Sequence, residues 1–267
     1  MKTYGSINGF ALGYSQTARQ VPKNEYHYHE DYEIMYLRRG SREVFVQSKK
    51  YRLTAGCLLF IEKDTIHKTN TISEEYERFV INFTENYIQP TVKQHIAPLF
   101  EQAIYAPERI SGIDRIFCSI WDEWDRLRKN DDMSSELLKG YVNILLAMFI
   151  RNHDAWALDA RVSNPAIERL VQYINDNPHE EITLEGSARM LKISPSYLSK
   201  TFTKNTGFGF REYLMIVRIK KAKQLLETTD VPVRQIAFDC GFNDSNYFSS
   251  AFKKATGFSP LKYRKMF

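Results

Sequence analysis

Cysteine is scarce in this chain, and its three cysteines stand singly. Cys57, Cys118 and Cys240 occur without any C-x-x-C spacing. Neither a disulfide framework nor a thiolate metal site is therefore predicted, and all three are interpreted as reduced packing residues.

Long apolar runs are also missing. The sequence has no stretch of eighteen apolar residues, and its first twenty residues lack the continuous apolar segment of a signal peptide. We therefore expect a cytoplasmic protein that has no membrane partner. With 267 residues, 43% of them hydrophobic and 13% aromatic, the chain can form two globular domains.

The net charge is small but unevenly placed. The chain carries +5 overall, with 16 Lys+Arg against 10 Asp+Glu from Asn164 onward and 21 against 22 before it. The excess positive charge therefore lies near the C-terminus. Such a bias attracts the phosphate backbone of nucleic acids, although a charge that serves only solubility would give the same count.

The periodicity of the apolar residues changes along the chain. Residues 4–88 contain short β-branched and aromatic stretches broken by turn residues, which predicts β-structure. Helical spacing follows in residues 89–153, and near 134–150 it covers more than half of a helix. That helix is either a core helix or one that packs on the β-domain and on a second subunit. Asn164 and Pro165 then supply an N-cap and a first-turn proline, so residues 160–163 are the predicted linker.

The last hundred residues contain one stretch written twice, about fifty positions apart. Tyr197, Leu198, Phe202, Lys204, Thr206, Gly207, Phe208 and Tyr213 recur as Tyr247, Phe248, Phe252, Lys254, Thr256, Gly257, Phe258 and Tyr263. Each copy is a short helix with an alanine, a tight turn and a second helix opened by a small polar residue. This pattern is typical of a helix-turn-helix, whose usual ligand is DNA.

These residues resemble the DNA-binding domain of the AraC/XylS family of transcriptional regulators. The resemblance covers roughly residues 165–267 and includes Ala188, Leu191, Ser194, Leu198, Phe202, Gly207, Arg218, Ala222, Leu225, Leu226, Ile236, Ala237, Gly241, Phe242, Tyr247, Phe248, Phe252, Lys253, Gly257, Pro260, Tyr263 and Arg264. Small residues at 188 and 237 allow close helix crossing, and Arg218 is expected to tie the two copies together.

The resemblance implies that the second helix of each copy enters the major groove of DNA. The outward side chains on the first turns are the predicted base contacts, namely Ser196, Ser199, Lys200, Ser245, Asn246, Ser249 and Ser250. Lysine suits guanine and asparagine suits adenine, whereas a serine can reach a base, a phosphate or only solvent. Phosphate contacts are expected from Lys204, Arg211, Lys253, Lys254 and Arg264.

A second motif lies near the N-terminus. His27, His29, Glu33 and Gly40 have the spacing H-x-H-x3-E-x6-G, with Gly56 and His67 further along, which resembles the two motifs of the cupin β-barrel. The second motif lacks its proline and following glycine, and has Glu62 and Asp64 instead. On a barrel these side chains point inward together.

Two functional uses of this cluster remain open, beside a purely structural one in which these are barrel residues with satisfied polar partners. His27, His29, Glu33 and His67 offer imidazole and carboxylate ligands for a divalent metal, as in cupin enzymes. Sensory barrels fused to AraC-type domains, however, generally bind a small molecule without chemistry, so His27, His29, Glu33, His67 and Tyr36 are the predicted effector pocket and no cofactor is assigned.

The predicted fold is α+β and multidomain. Residues 1–90 form a cupin-like barrel and 91–160 a helical dimerisation segment, while 161–267 form an all-α domain with two helix-turn-helix units, about 183–206 and 232–256, joined by a long helix. The predicted function is promoter-DNA binding by a homodimer that responds to a small molecule, with no enzymatic activity. The family resemblance suggests a sugar as the small molecule and RNA polymerase as a further partner. The alternatives are a metal-dependent cupin enzyme tethered to DNA and a constitutive DNA-binding factor with an inert barrel.

Overall fold

A computed structural model of the chain describes residues 2–3, 6–16, 29–71, 75–106, 112–162 and 164–267. The chain divides into two compact units, which we call the N-terminal domain, Met1–Val162, and the C-terminal domain, Ser163–Phe267. The division falls within the predicted linker. The helices after residue 90 belong to the same unit as the strands.

Nine strands in the described part of the N-terminal domain form two antiparallel sheets. They are β1 (Lys2–Thr3), β2 (Phe10–Gln16), β3 (Tyr32–Arg39), β4 (Ser41–Val46), β5 (Lys49–Thr54), β6 (Leu58–Ile61), β7 (His67–Thr71), β8 (Glu77–Phe83) and β9 (Ile104–Tyr105). The larger sheet has the order β1-β2-β8-β3-β6-β9, and the smaller one β5-β4-β7. Both sheets contribute side chains to one core, which confirms the predicted cupin-like β-domain.

The larger sheet is buried on both faces, and β3 shows how. Met35 and Leu37 pack between the sheets, whereas Ile34 and Tyr36 face the helices of the domain. Because successive strand residues point to opposite faces, every position of β3 from Tyr32 to Leu37 is buried.

In the described part of this domain, five α-helices lie after β8, two of them before β9 and three after it: α1 (Pro90–Lys93), α2 (Ala97–Gln102), α3 (Ile113–Leu127), α4 (Asp132–Arg151) and α5 (His153–Trp156). On α4, Leu138, Val142 and Phe149 are fully buried in the core that also contains the outer face of the larger sheet. By length and composition its stretch Met133–Arg151 could also cross a membrane, and 39% of that stretch is buried inside the domain. The α4 helix is therefore a core helix on one side.

The C-terminal domain is helical throughout its described length. It contains α6 (Pro165–Asp176), α7 (Leu184–Met190), α8 (Pro195–Thr206), α9 (Phe210–Thr228), α10 (Val233–Asp239), α11 (Ser245–Thr256) and α12 (Pro260–Arg264). The predicted caps are confirmed: Asn164 and Ser194 accept backbone N–H bonds at the starts of α6 and α8, and Gly207 ends α8 at φ 79°.

Arg218 on the connecting helix α9 joins the two copies. Its guanidinium donates to the Pro178 carbonyl at 3.0 Å and to the Glu180 carbonyl at 2.9 Å, and it lies 5.8 Å from the centre of the Phe242 ring. Gly241 adopts φ +82°, and a Cβ there would lie 2.4 Å from the Pro178 oxygen and 2.8 Å from Arg218 Nη2. Glycine is needed here because the copies approach so closely.

The interpretation of the three cysteines as packing residues is correct for two of them. Cys57 and Cys240 are buried, whereas Cys118 is exposed on α3. Its helical position places it on the side away from the buried Phe117 and Ile120.

Candidate functional sites

The first turns of α8 present polar side chains to solvent. Ser194 caps the helix by accepting the Tyr197 N–H, and Leu198 and Phe202 hold the opposite side in the core. Ser196 and Lys200 are exposed, and Ser199 is half-buried. The three predicted contact residues therefore share one accessible face.

The α11 helix repeats this arrangement. Asp244 caps it through the Tyr247 N–H, and Phe248 and Phe252 are buried. Asn246 and Ser250 are exposed, whereas Ser245 and Ser249 are half-buried. The Ser249 hydroxyl donates to the Ser245 carbonyl at 2.9 Å, so its proton is already used within the helix.

Two exposed tyrosines on these helices were not among the predicted contacts. Tyr197 is 58% exposed and Tyr247 is 59% exposed, although large aromatic side chains are usually buried. Each follows an outward polar residue on the first turn of its helix. The signal was available in the sequence, because these tyrosines recur in the duplicated stretch.

Four of the five predicted phosphate contacts are on accessible surface, because Lys204, Arg211, Lys253 and Lys254 are exposed. Arg264 differs from these four, and its phosphate contact stays a prediction. Its side chain is half-buried, one guanidinium nitrogen donates to the Val231 carbonyl, and its Nε is buried without a partner. Arg264 ties α12 to the turn before α10, which the repeat pattern could not reveal because this contact spans 33 positions.

Inside the N-terminal domain, His29, Glu33 and His67 form a cluster. Their potential ligand atoms lie within 4.8 Å of one another, and His29 Nε2 is 3.1 Å from Glu33 Oε2. His67 Nε2 is 4.0 Å from the same oxygen, and the Asn82 amide donates to it at 3.1 Å. His67 and Glu33 are buried. His27 lies outside the described residues.

Both imidazoles are oriented by the backbone. His29 Nδ1 lies 2.8 Å from the Asp31 carbonyl, and His67 Nδ1 lies 2.8 Å from the Thr65 carbonyl. A carbonyl oxygen only accepts, so each Nδ1 carries the proton. In His29 the neutral form would then aim an Nε2 lone pair at a carboxylate oxygen. A cation, either a proton or a metal ion, is required between them.

The pKa values of Glu33 and His29 are shifted in the directions that favour an ion pair. Burial alone would raise the pKa of Glu33, but hydrogen bonding to His29 and the charge of His67 outweigh it and lower the pKa to about 2. Burial would lower the pKa of His29, but the hydrogen bond to Glu33 and its charge raise it. The two groups stabilise each other as an ion pair.

The prediction that Tyr36 shares this pocket is wrong. Glu33 and Tyr36 are three positions apart on β3, so they point to opposite faces of the sheet. Tyr36 stacks on Phe117 and donates its hydroxyl to Asp114 at 2.9 Å, on the helix-covered side. Asn82, which was not predicted, takes its place beside Glu33 because it pairs with Glu33 across β3 and β8.

A β-domain with polar groups in its interior, followed by a duplicated helix-turn-helix, defines a DNA-binding transcriptional regulator with a ligand-binding domain. A family model described as AraC-like ligand binding domain matches residues 12–137, and one described as helix-turn-helix domain matches residues 187–266. The chain belongs to the AraC family of transcriptional regulators.

Individual relatives match different shares of the chain. It is 41% identical over 105 residues to the uncharacterized HTH-type transcriptional regulator YijO of Escherichia coli, covering 39% of this chain and 37% of that protein. It is 25% identical over 244 residues to the HTH-type transcriptional activator RhaR of Salmonella dublin. That match covers 90% of this chain and 86% of RhaR. The solved C-terminal domain of AraT, a response regulator from Geobacillus stearothermophilus, is 38% identical, covers 40% of this chain and 88% of that one, and has a TM-score of 0.39.

The Glu33–His29 pair predicts a bell-shaped dependence of stability on pH. Glu33 has a lowered pKa, so its contribution is present above 4.5 and is lost as pH falls towards about 2. His29 has a raised pKa, so its contribution is present below 6.5 and is lost as pH rises through the higher folded value. Thermal unfolding of chelator-treated protein from pH 3 to 9 should show an optimum that Glu33→Gln removes, at a cost of up to about 3 kcal/mol. Equal profiles for both proteins would contradict the pairing.

Proposed function

We propose that α8 and α11 are the DNA-reading helices of this regulator and that they bind one operator together. The observation that carries the proposal is the repetition of one accessible face. Lys200 on α8 and Asn246 on α11 are exposed on the first two turns of helices whose other sides are fixed in the core. Lysine suits a guanine edge and asparagine suits an adenine edge.

The basic side chains around α8 and α11 support the proposal that these helices face DNA. Lys204 and Lys254 occupy equivalent positions near the ends of α8 and α11, and Arg211 and Lys253 are also exposed. Lysine and arginine beside a reading helix bind phosphates and set the register of the helix in the groove. The tyrosines at 197 and 247 add one hydroxyl to each face, which can donate to a base edge or a phosphate.

We further propose that the chain acts as a homodimer joined through α4. Met133, Leu137 and Ile144 are 67%, 46% and 49% exposed, on the side of the helix away from the core. With Gly140 and Ala147 they form a stripe spaced alternately four and three residues apart, which is the spacing of a coiled-coil seam. Small residues at 140 and 147 allow a second helix to approach closely.

The N-terminal domain in this proposal senses a small molecule and has no catalytic step. Its relatives are transcriptional regulators, and a bound effector would act by favouring one arrangement of the domain and so changing which DNA sites a dimer holds. A sugar remains the effector class suggested by the family resemblance. A regulator that binds promoters would act in the cytoplasm, and RNA polymerase is its proposed further partner.

A second candidate ligand for the N-terminal domain is a divalent metal at the cluster of His29, Glu33 and His67. The donor set fits, because both Nε2 atoms face the shared carboxylate while both Nδ1 atoms are held by backbone carbonyls. A metal bound there would replace the proton between His29 and Glu33 and lock the two sheets together.

For the DNA-reading helices, operators selected from random sequence provide the test. Asn246→Ala should relax preference at one base step and weaken specific binding by about 1–3 kcal/mol. Lys254→Ala should weaken binding to all sequences and reduce the salt slope by about 1, because one phosphate contact is lost. Lys221→Ala, at an exposed position on α9, is the control. Unchanged sequence preference in Asn246→Ala would contradict the placement of α11.

For the α4 seam, the test is molar mass measured by light scattering. Ile144→Asp places a charge in the centre of the proposed interface and should convert the dimer to monomers at micromolar concentration. Arg115→Asp, an exposed site on α3, should leave the dimer intact. A monomeric wild-type chain, or a dimer that persists in Ile144→Asp, would rule out this interface.

For the metal, elemental analysis of purified protein decides. Binding predicts about one transition-metal ion per chain in wild-type protein and in His153→Ala, and trace amounts in His67→Ala. Trace metal in wild-type protein, purified without chelators, would remove this candidate.

A further inference from the structure

Two arginines are buried inside the N-terminal domain, away from the His29 cluster. Arg42 on β4 is 1% exposed and Arg78 on β8 is 8% exposed. Arg42 alternates along β4 with Val44 and Val46, and Arg78 alternates along β8 with Val80, all of which lie in the core between the sheets. Both guanidinium groups therefore point into the interior of the domain.

The two guanidinium groups converge on the same atoms. Arg42 Nη2 lies 3.3 Å from the Thr69 hydroxyl oxygen, and Arg78 Nη1 lies 3.5 Å from the same oxygen. The Arg42 guanidinium lies 4.5 Å from the centre of the Tyr76 ring, and that of Arg78 lies 6.0 Å from it. Two cations that share one neutral hydroxyl repel each other, which makes the space between them favourable for an anion.

The side-chain contacts of Arg42 are to the neutral residues Thr69 and Tyr76. Its Nε and Nη1 are buried without a hydrogen-bond partner, and no carboxylate of the described residues forms an ion pair with it. The neighbouring arginines on the surface differ: Arg38 pairs with Glu77 and Arg52 pairs with Glu43. Burying a cation without a counter-charge costs free energy of folding. The unused N–H groups of Arg42 therefore favour a bound anion as the missing partner.

We infer that Arg42 and Arg78, with the Ser15, Thr69 and Tyr76 side chains, form the binding site for the carboxylate of an organic acid. One oxygen of a carboxylate can accept from an unused N–H of Arg42 while the other accepts from the Arg78 guanidinium, so that both cations share one anion. Ser15, which is 3.1 Å from Arg78 Nε, lies on the adjacent strand β2 and adds a hydroxyl to the same wall. The inference rests on the proposed effector role of this domain and narrows its ligand to acids.

The position of the site fits a ligand that lies along the interior of the domain. Thr69 and His67 are two positions apart on β7, and Arg78 and Asn82 are four apart on β8, so both clusters face the interior between the two sheets. The acid group would occupy the arginine end.

Thermal unfolding of the full chain with matched probes tests the inference. The pairs are glucuronate with glucose and benzoate with benzyl alcohol, and inorganic phosphate is the third anion. At saturation, the acid of at least one pair should raise the Tm by about 3 °C or more, and its neutral partner should not. The first pair responding would indicate a sugar acid, and the second an aromatic acid.

Three variants assign the effect to the arginine. Arg42→Met should abolish the shift without lowering the Tm of the ligand-free protein, because it replaces an unpaired buried charge with an apolar side chain. Arg42→Lys, which keeps the charge and loses the planar guanidinium with its directed N–H groups, should weaken binding at least tenfold. Arg52→Met, on the exposed face of β5, should behave as wild type.

Four outcomes would overturn the inference. The first two are no Tm shift with any probe and a Tm shift with phosphate alone. The third is a ligand-induced Tm shift that survives in Arg42→Met and Arg42→Lys. The fourth is a large loss of Tm in ligand-free Arg42→Met, which would reveal that Arg42 has a partner within the protein. DNA binding by the same preparations is measured separately. DNA binding without any acid effect on Tm refutes the site alone, whereas an acid-induced shift in a protein that binds no DNA refutes the proposed function alone.

Discussion

The DNA-binding account depends on one close contact, in which Arg218 holds the two helix-turn-helix copies together. Its guanidinium satisfies two backbone carbonyls of the first copy and covers an aromatic ring of the second. Gly241 makes this approach possible because no side chain occupies the space. Together with the connecting helix α9, this contact fixes the distance and orientation between α8 and α11. Two helices held in this way can recognise one operator.

The N-terminal domain follows a different principle, because its interior contains charge that the described residues do not fully balance. At one place Glu33 and His29 pair only when a proton or a metal ion lies between them, and at another Arg42 has two buried nitrogens without a hydrogen-bond partner. Buried charges of this kind reduce stability unless they are paired. A domain selected only for stability would replace them by apolar residues, so their presence favours a ligand-binding interior over an inert one.

The local features of the fold could be predicted from the sequence, and the long-range ones could not. Caps such as Asn164 and Ser194 act on neighbouring residues, and the duplication displayed the C-terminal cores directly. The prediction that Tyr36 shares the pocket of Glu33 overlooked their three-position spacing on one strand, which places them on opposite faces. The internal partner of Arg264 could not be predicted, because it lies 33 positions away along the chain. Arg42 is an ordinary strand arginine in the sequence. Only the pairing of β4 with β7 and the position of β8 reveal that it is buried beside Arg78.

The most direct test of the central claim is a hydroxyl-radical and methylation-protection footprint of the full chain on a selected operator. Two reading helices held in a fixed relation predict, for each chain, two protected major-groove segments on one face of the DNA, separated by about one helical turn of 10–10.5 base pairs. A single protected segment per chain, or two segments whose spacing varies from one operator to another, would show that α8 and α11 do not read DNA as one unit.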